Sequence, residues 1–387
     1  MRYAVIREGK ALIMIPDPGQ AIAPHGFEPA WLPVFYNPRM VFNRDVSVVA
    51  LSIYVEKIAP HKPVRGVDAL TGTGVRAVRY LLESSSELVM HANDIDPAAV
   101  AVAGRNIELN GLQERATLHR RDARSLLYEL PRSEPILFVD IDPFGSPAPF
   151  AHAALRAAGH RGLAAFTATD LAVLGGAKRA AARRKYWATV VKAPEHREIG
   201  LRVLLGYAAR VAASSDKSVR PLLAYYADHY YRVFLLVERG ARKADKMLEE
   251  NVGYAFYCPE KGLTGLEPKC GDPTRIGPLW TGPLMDVSFA RDMLQAARGA
   301  FSYLQAGHRL LRLLSTLIEE ASTCQRCIYY SLPSLASKAR IGRLPKIIRV
   351  IDRLRSIGYP AARTHFDPMG VRSPAPPEEV IDALGAA

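Results

Sequence analysis

Between roughly residue 60 and residue 240 the hydrophobic positions of this chain follow two alternating rhythms. Short runs rich in β-branched residues read as strands: "PVRGVDAL", "ELVMHAND", "RATLHRRDA", "PILFVDID" and "GLAAFTATD". Between them lie stretches with helical spacing: "GVRAVRYLLESS", "DPAAVAVAGRNIELNG", "RSLLYEL" and "PAPFAHAALRAAG". The second of these starts on Pro97 and closes on Gly111, as helices do. Such alternation predicts parallel βαβ units with helices on both faces of one sheet. A long amphipathic helix, "HREIGLRVLLGYAARVAA", then precedes "VRPLLAYYADHYYRVFLLVER". That segment reads as two strands around a turn near Asp228, with no helix between, which predicts an antiparallel hairpin on the sheet edge. Upstream, the chain opens rich in Pro and Gly, and apolar spacing from Val46 fits a helix ending before Pro60.

The pattern changes character near Ala241. A mixed, Gly- and Pro-rich stretch follows, then three helical segments separated by Pro333 and Pro345, then a basic helix and a candidate strand pair. This divides the chain into residues 1–240 and a second domain, 241–387.

Ligands of such sheets sit beyond the carboxyl ends of the strands, and several acidic residues fall there. "DALTGTGVRAV" joins the first strand to its helix, and Gly72 and Gly74 let that backbone turn tightly against a ligand. Gly72, Gly74 and Ala77 satisfy a relaxed dinucleotide fingerprint, and Asp94 stands where a ribose-binding carboxylate is expected. The loop therefore points to a nucleoside cofactor without choosing between NAD and S-adenosylmethionine. Asp68 can meet a ligand ammonium group; Asp122 and Ala123 can face an adenine. Taken singly, Asp68 or Asp122 also suits a helix N-cap or a turn.

The fourth strand ends in "VDIDPFGSPAPF". The amine of a nucleobase is a poor nucleophile, so its methylation needs alignment and acceptors for its hydrogens. Asp142 supplies a carboxylate, Pro143 a rigid site without an N–H, Phe144 a stacking ring and Gly145 the turn away. A dehydrogenase has no use for that group, so the choice falls on S-adenosyl-L-methionine. Asp140, two residues earlier, shares the face of Asp142.

Composition adds a partner. The formal net charge is +13, which suits a polyanion. "AKRAAARRKY" and "SKARIGRLPKIIRVIDRLR" are the candidate phosphate contacts. No run of 18 apolar residues lacks charge, and the N-terminus lacks a signal-peptide cleavage region. The expectation is a cytoplasmic protein with no membrane association, and nothing in the sequence implies a protein partner.

"FYNPRMVFNRD", "DALTGTGVRAVRY", "DIDPFGSPAPF", "TATDLAVLGG", "RKY", "DHYYRVF" and "RTHFDPMG" together resemble the archaeal tRNA (guanine-26, N2) dimethyltransferases. The resemblance implies an S-adenosylmethionine-dependent methyltransferase fold, a seven-stranded, mostly parallel sheet with an antiparallel hairpin, plus a smaller α+β C-terminal domain that contacts tRNA. It implies that one guanine amine of tRNA is methylated twice, with Asp142 as catalytic residue and Phe35 lining the guanine pocket beside Phe144. It gives Arg44 and Arg76 to the cofactor's carboxylate, Asp94 to the ribose, and Asp122 with Ala123 to the adenine. Some family members carry a four-cysteine zinc site near Cys258 and Cys270; this chain has only four cysteines in all, the others being Cys324 and Cys327. We therefore expect no metal, and buried thiols before disulfides, although hyperthermophile cytosols permit the latter. Rival readings are an amine methyltransferase for another RNA or DNA base, an NAD-dependent oxidoreductase, and a non-enzymatic RNA-binding module.

Overall fold

A computed structural model describes residues 2–23, 26–59, 64–133 and 135–386. The Pro- and Gly-rich opening carries a hairpin that its composition hid, β1 (Tyr3–Glu8) and β2 (Ala11–Pro16), then a short pair, β3 (Ile22–Ala23) and β4 (Gly26–Phe27). Helix α1 (Val41–Ile58) starts earlier than its apolar spacing predicts. Asn43, Arg44 and Asp45 break the hydrophobic pattern there, yet all three are buried by pairing with other charged and polar groups.

Next come β5 (Val64–Asp68), α2 (Val75–Glu83), β6 (Leu88–Asp94), α3 (Pro97–Leu109), β7 (Ala116–Arg120), α4 (Ala123–Ser133), β8 (Ile136–Ile141), α5 (Ala148–Ala157) and β9 (Ala158–Ala168). Two short helices, α6 (Leu171–Leu174) and α7 (Arg179–Tyr186), lead into α8 (His196–Ala213) and the hairpin β10 (Lys217–Ala227) and β11 (Tyr230–Arg239). The seven strands order as β10-β11-β9-β8-β5-β6-β7. Strands β5 to β9 run parallel, and β11 joins β9 antiparallel, so both the parallel units and the added hairpin follow the predicted pattern. Every residue of β8 is buried, as its unbroken apolar run requires of a central strand. One apolar core lies between the sheet and α1, α2 and α3; another lies under α4, α5 and α8. Chain order reverses between β5 and β8, and the crevice at that switch opens at the strands' carboxyl ends.

Beyond residue 240, α9 (Ala241–Asn251) precedes a sheet of β12 (Val252–Cys258), β13 (Leu263–Gly265) and β14 (Thr274–Trp280), ordered β13-β12-β14. Strand β14 packs on α8 where Gly206 has no side chain: a Cβ there would meet the Leu279 Cα at 2.7 Å. Helices α10 (Val287–Arg298) and α11 (Gly307–Thr323) pack on α1. The chain ends with β15 (Tyr330–Ser331), α12 (Leu332–Lys338), α13 (Ile347–Ser356), β16 (Ala362–Arg363), β17 (Gly370–Arg372) and α14 (Pro377–Gly385), built around a separate apolar cluster.

The cysteines differ from the expectation of thiols. Cys258 pairs with Cys270, and Cys324 with Cys327, as disulfides with Cα separations of 6.0 and 5.6 Å. Turns after β12 and α11 bring each pair within the ordinary bridging distance. Among the described residues, no helix is long and apolar enough to cross a membrane.

Candidate active site

The loop after β5 carries the glycine motif. Gly72 and Gly74 adopt φ of 54° and 77°, the left-handed region where glycine is favoured. A Cβ on Gly74 would also approach Ala103 Cβ to 3.0 Å, so this glycine lets α2 and α3 close up. Asp94, at the end of β6, fastens the loop: its Oδ2 accepts from Gly72 N at 2.9 Å and its Oδ1 from Asp96 N at 3.0 Å. Asn93 ties the same region to the end of β7, its Nδ2 donating to Ala69 O and Arg121 O.

Asp68 lies beneath this loop and is 1% exposed. Its Oδ2 accepts from the Thr71 hydroxyl at 2.7 Å, while its Oδ1 has no partner. Burial, reinforced by the neighbouring Asp140 carboxylate, pushes its pKa up to about 7.

Asp140 lies within β8 and Asp142 just past its end, in different surroundings. Asp140 is fully buried and accepts from Arg232 Nη1 and Nη2 at 2.7 and 3.0 Å and from the Tyr80 hydroxyl at 2.5 Å. Burial opposes its charge, but Arg232, with Arg76, outweighs burial and holds the carboxyl below its ordinary pKa. Asp142 is 19% exposed on the crevice wall. Its Oδ2 accepts from Arg76 Nε at 2.7 Å and pairs with Nη2 at 2.5 Å; among the described residues nothing donates to Oδ1. Pro143 and Phe144 continue the wall. Gly145, at φ 79°, turns the chain away, and reciprocal bonds of 2.8 Å with Thr169 pin that turn to the end of β9. Phe144 is 70% exposed, and Phe35 supports it edge-on at 4.4 Å.

The crevice holds about 730 Å³, a fitting volume for a small ligand. Phe35, Arg44, Gly72, Asp94, Asp142 and Phe144 all line it. Five of the sequence-based candidates, Asp68, Gly74, Arg76, Asp122 and Ala123, stand off its wall. Asp68 is under the floor. Arg76 approaches Asp142 and Asn43 Oδ1 (2.6 Å) from within the protein, and is 5% exposed. Asp122 caps α4, its Oδ1 accepting from the backbone of Arg124 and Ser125, while Arg124 draws its pKa down. Ala123 is buried beside it, at the strand end next to that of Asp94.

Arg44 is on the wall with its guanidinium clamped by Glu8 at 2.6 and 2.7 Å. Burial would raise the Glu8 pKa, but Arg44 and Arg79 lower it to about 2, so the pair stays ionised. Glu8 comes from the N-terminal hairpin, 36 residues upstream of Arg44, and no local pattern announced it. Thr169 and His229, from the β9 end and the β10–β11 turn, are further wall residues within strings quoted above but given no role there.

The sequence model for "N2,N2-dimethylguanosine tRNA methyltransferase" matches residues 11–385. The tRNA (guanine(26)-N(2))-dimethyltransferase of Aeropyrum pernix is 48% identical, with 99% of this chain and 97% of that protein covered. The enzyme of the same name from Saccharolobus solfataricus is 40% identical, with 99% of each covered. The solved structure of Trm1 from Pyrococcus horikoshii with S-adenosyl-L-methionine superposes with a TM-score of 0.86 at 35% identity, covering 98% of this chain and 99% of that one. The match spans the chain from its N-terminal hairpin to its C-terminal elements, and the chain belongs to the N2,N2-dimethylguanosine tRNA methyltransferase family.

Proposed function

We propose that this chain transfers methyl groups from S-adenosyl-L-methionine to the N2 amine of guanine 26 in tRNA, giving N2,N2-dimethylguanosine. The observation that carries the reading is the Asp142 carboxylate on the crevice wall, with one oxygen held by Arg76 and the other turned to no protein donor among the described residues. The crevice suits the cofactor: the left-handed glycine loop and the Asp94 carboxylate at the rim form a cradle for a nucleoside, and the unpartnered Asp68 oxygen directly beneath that loop is the acceptor left for its ammonium group. When bound, S-adenosylmethionine supplies an activated methyl group on a sulfonium. Arg44 serves its carboxylate, Asp94 its ribose, and Asp122 with Ala123 its adenine.

Asp142 Oδ1 accepts an amine hydrogen and takes the released proton. A backbone carbonyl at the Pro143 turn accepts the second hydrogen, in a place where proline offers no competing N–H. The guanine stacks on the exposed face of Phe144, which Phe35 braces. That requires the base to leave the tRNA stack, at a cost of a few kcal/mol offset by stacking here. Arg76 we assign to orienting Asp142, because its guanidinium is committed there and to Asn43; this differs from the cofactor role implied by the resemblance. The second unit, residues 241–387, we assign to holding the rest of the tRNA, and we place the protein in the cytoplasm, where its substrate is processed.

The test is nucleoside mass spectrometry of a guanine-26 tRNA transcript after incubation with protein and donor. N2,N2-dimethylguanosine is expected; its absence, or an equal yield from an adenine-26 transcript, contradicts the reading.

A pH dependence follows from Asp68. Its folded pKa of about 7 lies above the ordinary carboxylate value, so the folded, cofactor-free protein holds a proton there that the unfolded chain has lost. Ligand-free stability therefore falls as pH rises through that window. An ammonium group binds the ionised form, so cofactor affinity should weaken by up to about tenfold per pH unit below 7. Calorimetry from pH 5.5 to 8.5 reads this, and Asp68→Asn should flatten it; an unchanged profile in that variant removes Asp68 from the ammonium.

A further inference from the structure

We propose that the surface between Trp187 and Tyr254 is a second nucleotide subsite, taking one unstacked base of the tRNA together with its flanking phosphates. The proposal rests on the tRNA reading above and locates a contact outside the methyl-transfer crevice.

Trp187 follows the last residue of α7 and sits at φ 51°, a left-handed conformation that turns the indole out of the helix; it remains 56% exposed. Tryptophan in that position forfeits burial that the chain would otherwise gain. Its backbone is nevertheless fixed. Arg210 on α8 donates to Tyr186 O at 2.9 Å and to Trp187 O at 3.2 Å, and the Tyr207 ring meets the indole edge-on at 5.1 Å. Two 2.8 Å backbone bonds between Thr189 and Gly277 lock the following loop to β14. The indole thus lines a rigid cleft of about 240 Å³.

The opposite side of that cleft repeats the chemistry. Tyr254 is 37% exposed, and the Arg275 guanidinium lies 4.2 Å from its ring centre. Arg183 lines the cleft from α7. Among the described residues, Arg183, Arg184 and Arg275 have no carboxylate within ion-pair reach, so their charge is uncompensated. Exposed rings interleaved with unpaired arginines are the arrangement that binds single-stranded nucleic acid, rings stacking on bases and cations meeting phosphates. A flat protein partner would not need the cations, and an isolated phosphate would not need the rings.

The same short helix connects this cleft to the catalytic turn. The Tyr186 hydroxyl donates to Asp170 Oδ1 at 2.8 Å and accepts from Ser146 Oγ at 2.7 Å. Ser146 follows Gly145 of the Asp142 turn. A nucleotide held at Trp187 is therefore tied, through one rigid element, to the position of Phe144.

The experiment compares wild type with Trp187→Ala, Tyr254→Ala, Trp187→Phe and the double variant Arg183→Gln/Arg275→Gln, all in the full chain. It measures tRNA affinity against salt, S-adenosylmethionine affinity, indole fluorescence, and single-turnover methylation at saturating tRNA. The alanine variants should bind tRNA roughly 5- to 100-fold more weakly, with cofactor affinity and the saturated rate unchanged. Trp187→Phe should recover most of the affinity but lose the fluorescence quenching that tRNA causes in wild type. The double arginine variant should shift the salt slope by between one and two. Wild-type tRNA affinity in the alanine variants, or an unaltered salt slope without the arginines, overturns the subsite. If wild type fails to methylate guanine 26 while these variants still lose affinity, the reaction reading falls and the subsite stands. If wild type methylates and the variants bind normally, the subsite alone falls.

Discussion

Asp142→Asn should leave S-adenosylmethionine bound at near wild-type affinity and lower methyl transfer to tRNA roughly 10²- to 10⁴-fold, the usual worth of a positioned proton acceptor. The amide keeps the side chain's size and still offers one oxygen to Arg76, so the turn from Pro143 to Gly145, pinned separately by Thr169, has no reason to move. What disappears is the negative charge that draws an amine hydrogen and receives its proton. Single-turnover kinetics at saturating donor and tRNA isolate that step. Arg76→Gln provides the companion measurement: a lower rate at saturating cofactor fits a residue that orients Asp142, whereas a large rise in cofactor Kd with a normal rate fits the cofactor role. Wild-type turnover in Asp142→Asn would falsify the assignment.

The second large effect is on stability. Arg232→Met should cost about 3–5 kcal/mol, because it strands the Asp140 carboxylate in the core. Asp140 is fully buried, and Arg232 provides two of its three close donors, the other being Tyr80. Arg76 approaches only to 3.6 Å. In wild type the Asp140 pKa lies below its unfolded value, so its contribution is present above the ordinary carboxylate pKa and lost as pH falls through the folded one. In the variant the same carboxyl is driven to hold a proton. The gap between the two proteins should therefore be wide near pH 7.5 and narrow towards pH 4. Adding Asp140→Asn should recover part of the loss at pH 7.5. Thermal midpoints that differ equally at both pH values would contradict the paired-charge account.

The elements legible in the sequence were those whose chemistry is local. The unbroken apolar run of β8, the Pro97 and Gly111 boundaries of α3 and the helix-free turn at Asp228 each carry their own signal, and each stands where the pattern put it. That Asp94, Asp142 and Phe144 line the crevice was legible because strand ends and a rigid turn dictate where side chains go. What escaped depends on partners distant in sequence. Glu8 meets Arg79 71 residues on and Arg44 36 residues on, so neither the first hairpin nor the charged start of α1 announced itself in the local hydrophobic pattern. The family resemblance gives Arg76 to the cofactor; its bond to Asp142, 66 residues away, appears only once β5 and β8 are side by side. The cysteine pairs turned on the paths of two turns, which composition does not specify.

Position 26 itself offers the most direct test. A tRNA carrying inosine there keeps the purine ring and its stacking surface and lacks only the 2-amino group. Our account predicts binding close to that of the guanine-26 tRNA and no methylated nucleoside at that position by mass spectrometry. Methyl incorporation into inosine 26 would mean that the Asp142 turn addresses some other atom of the base.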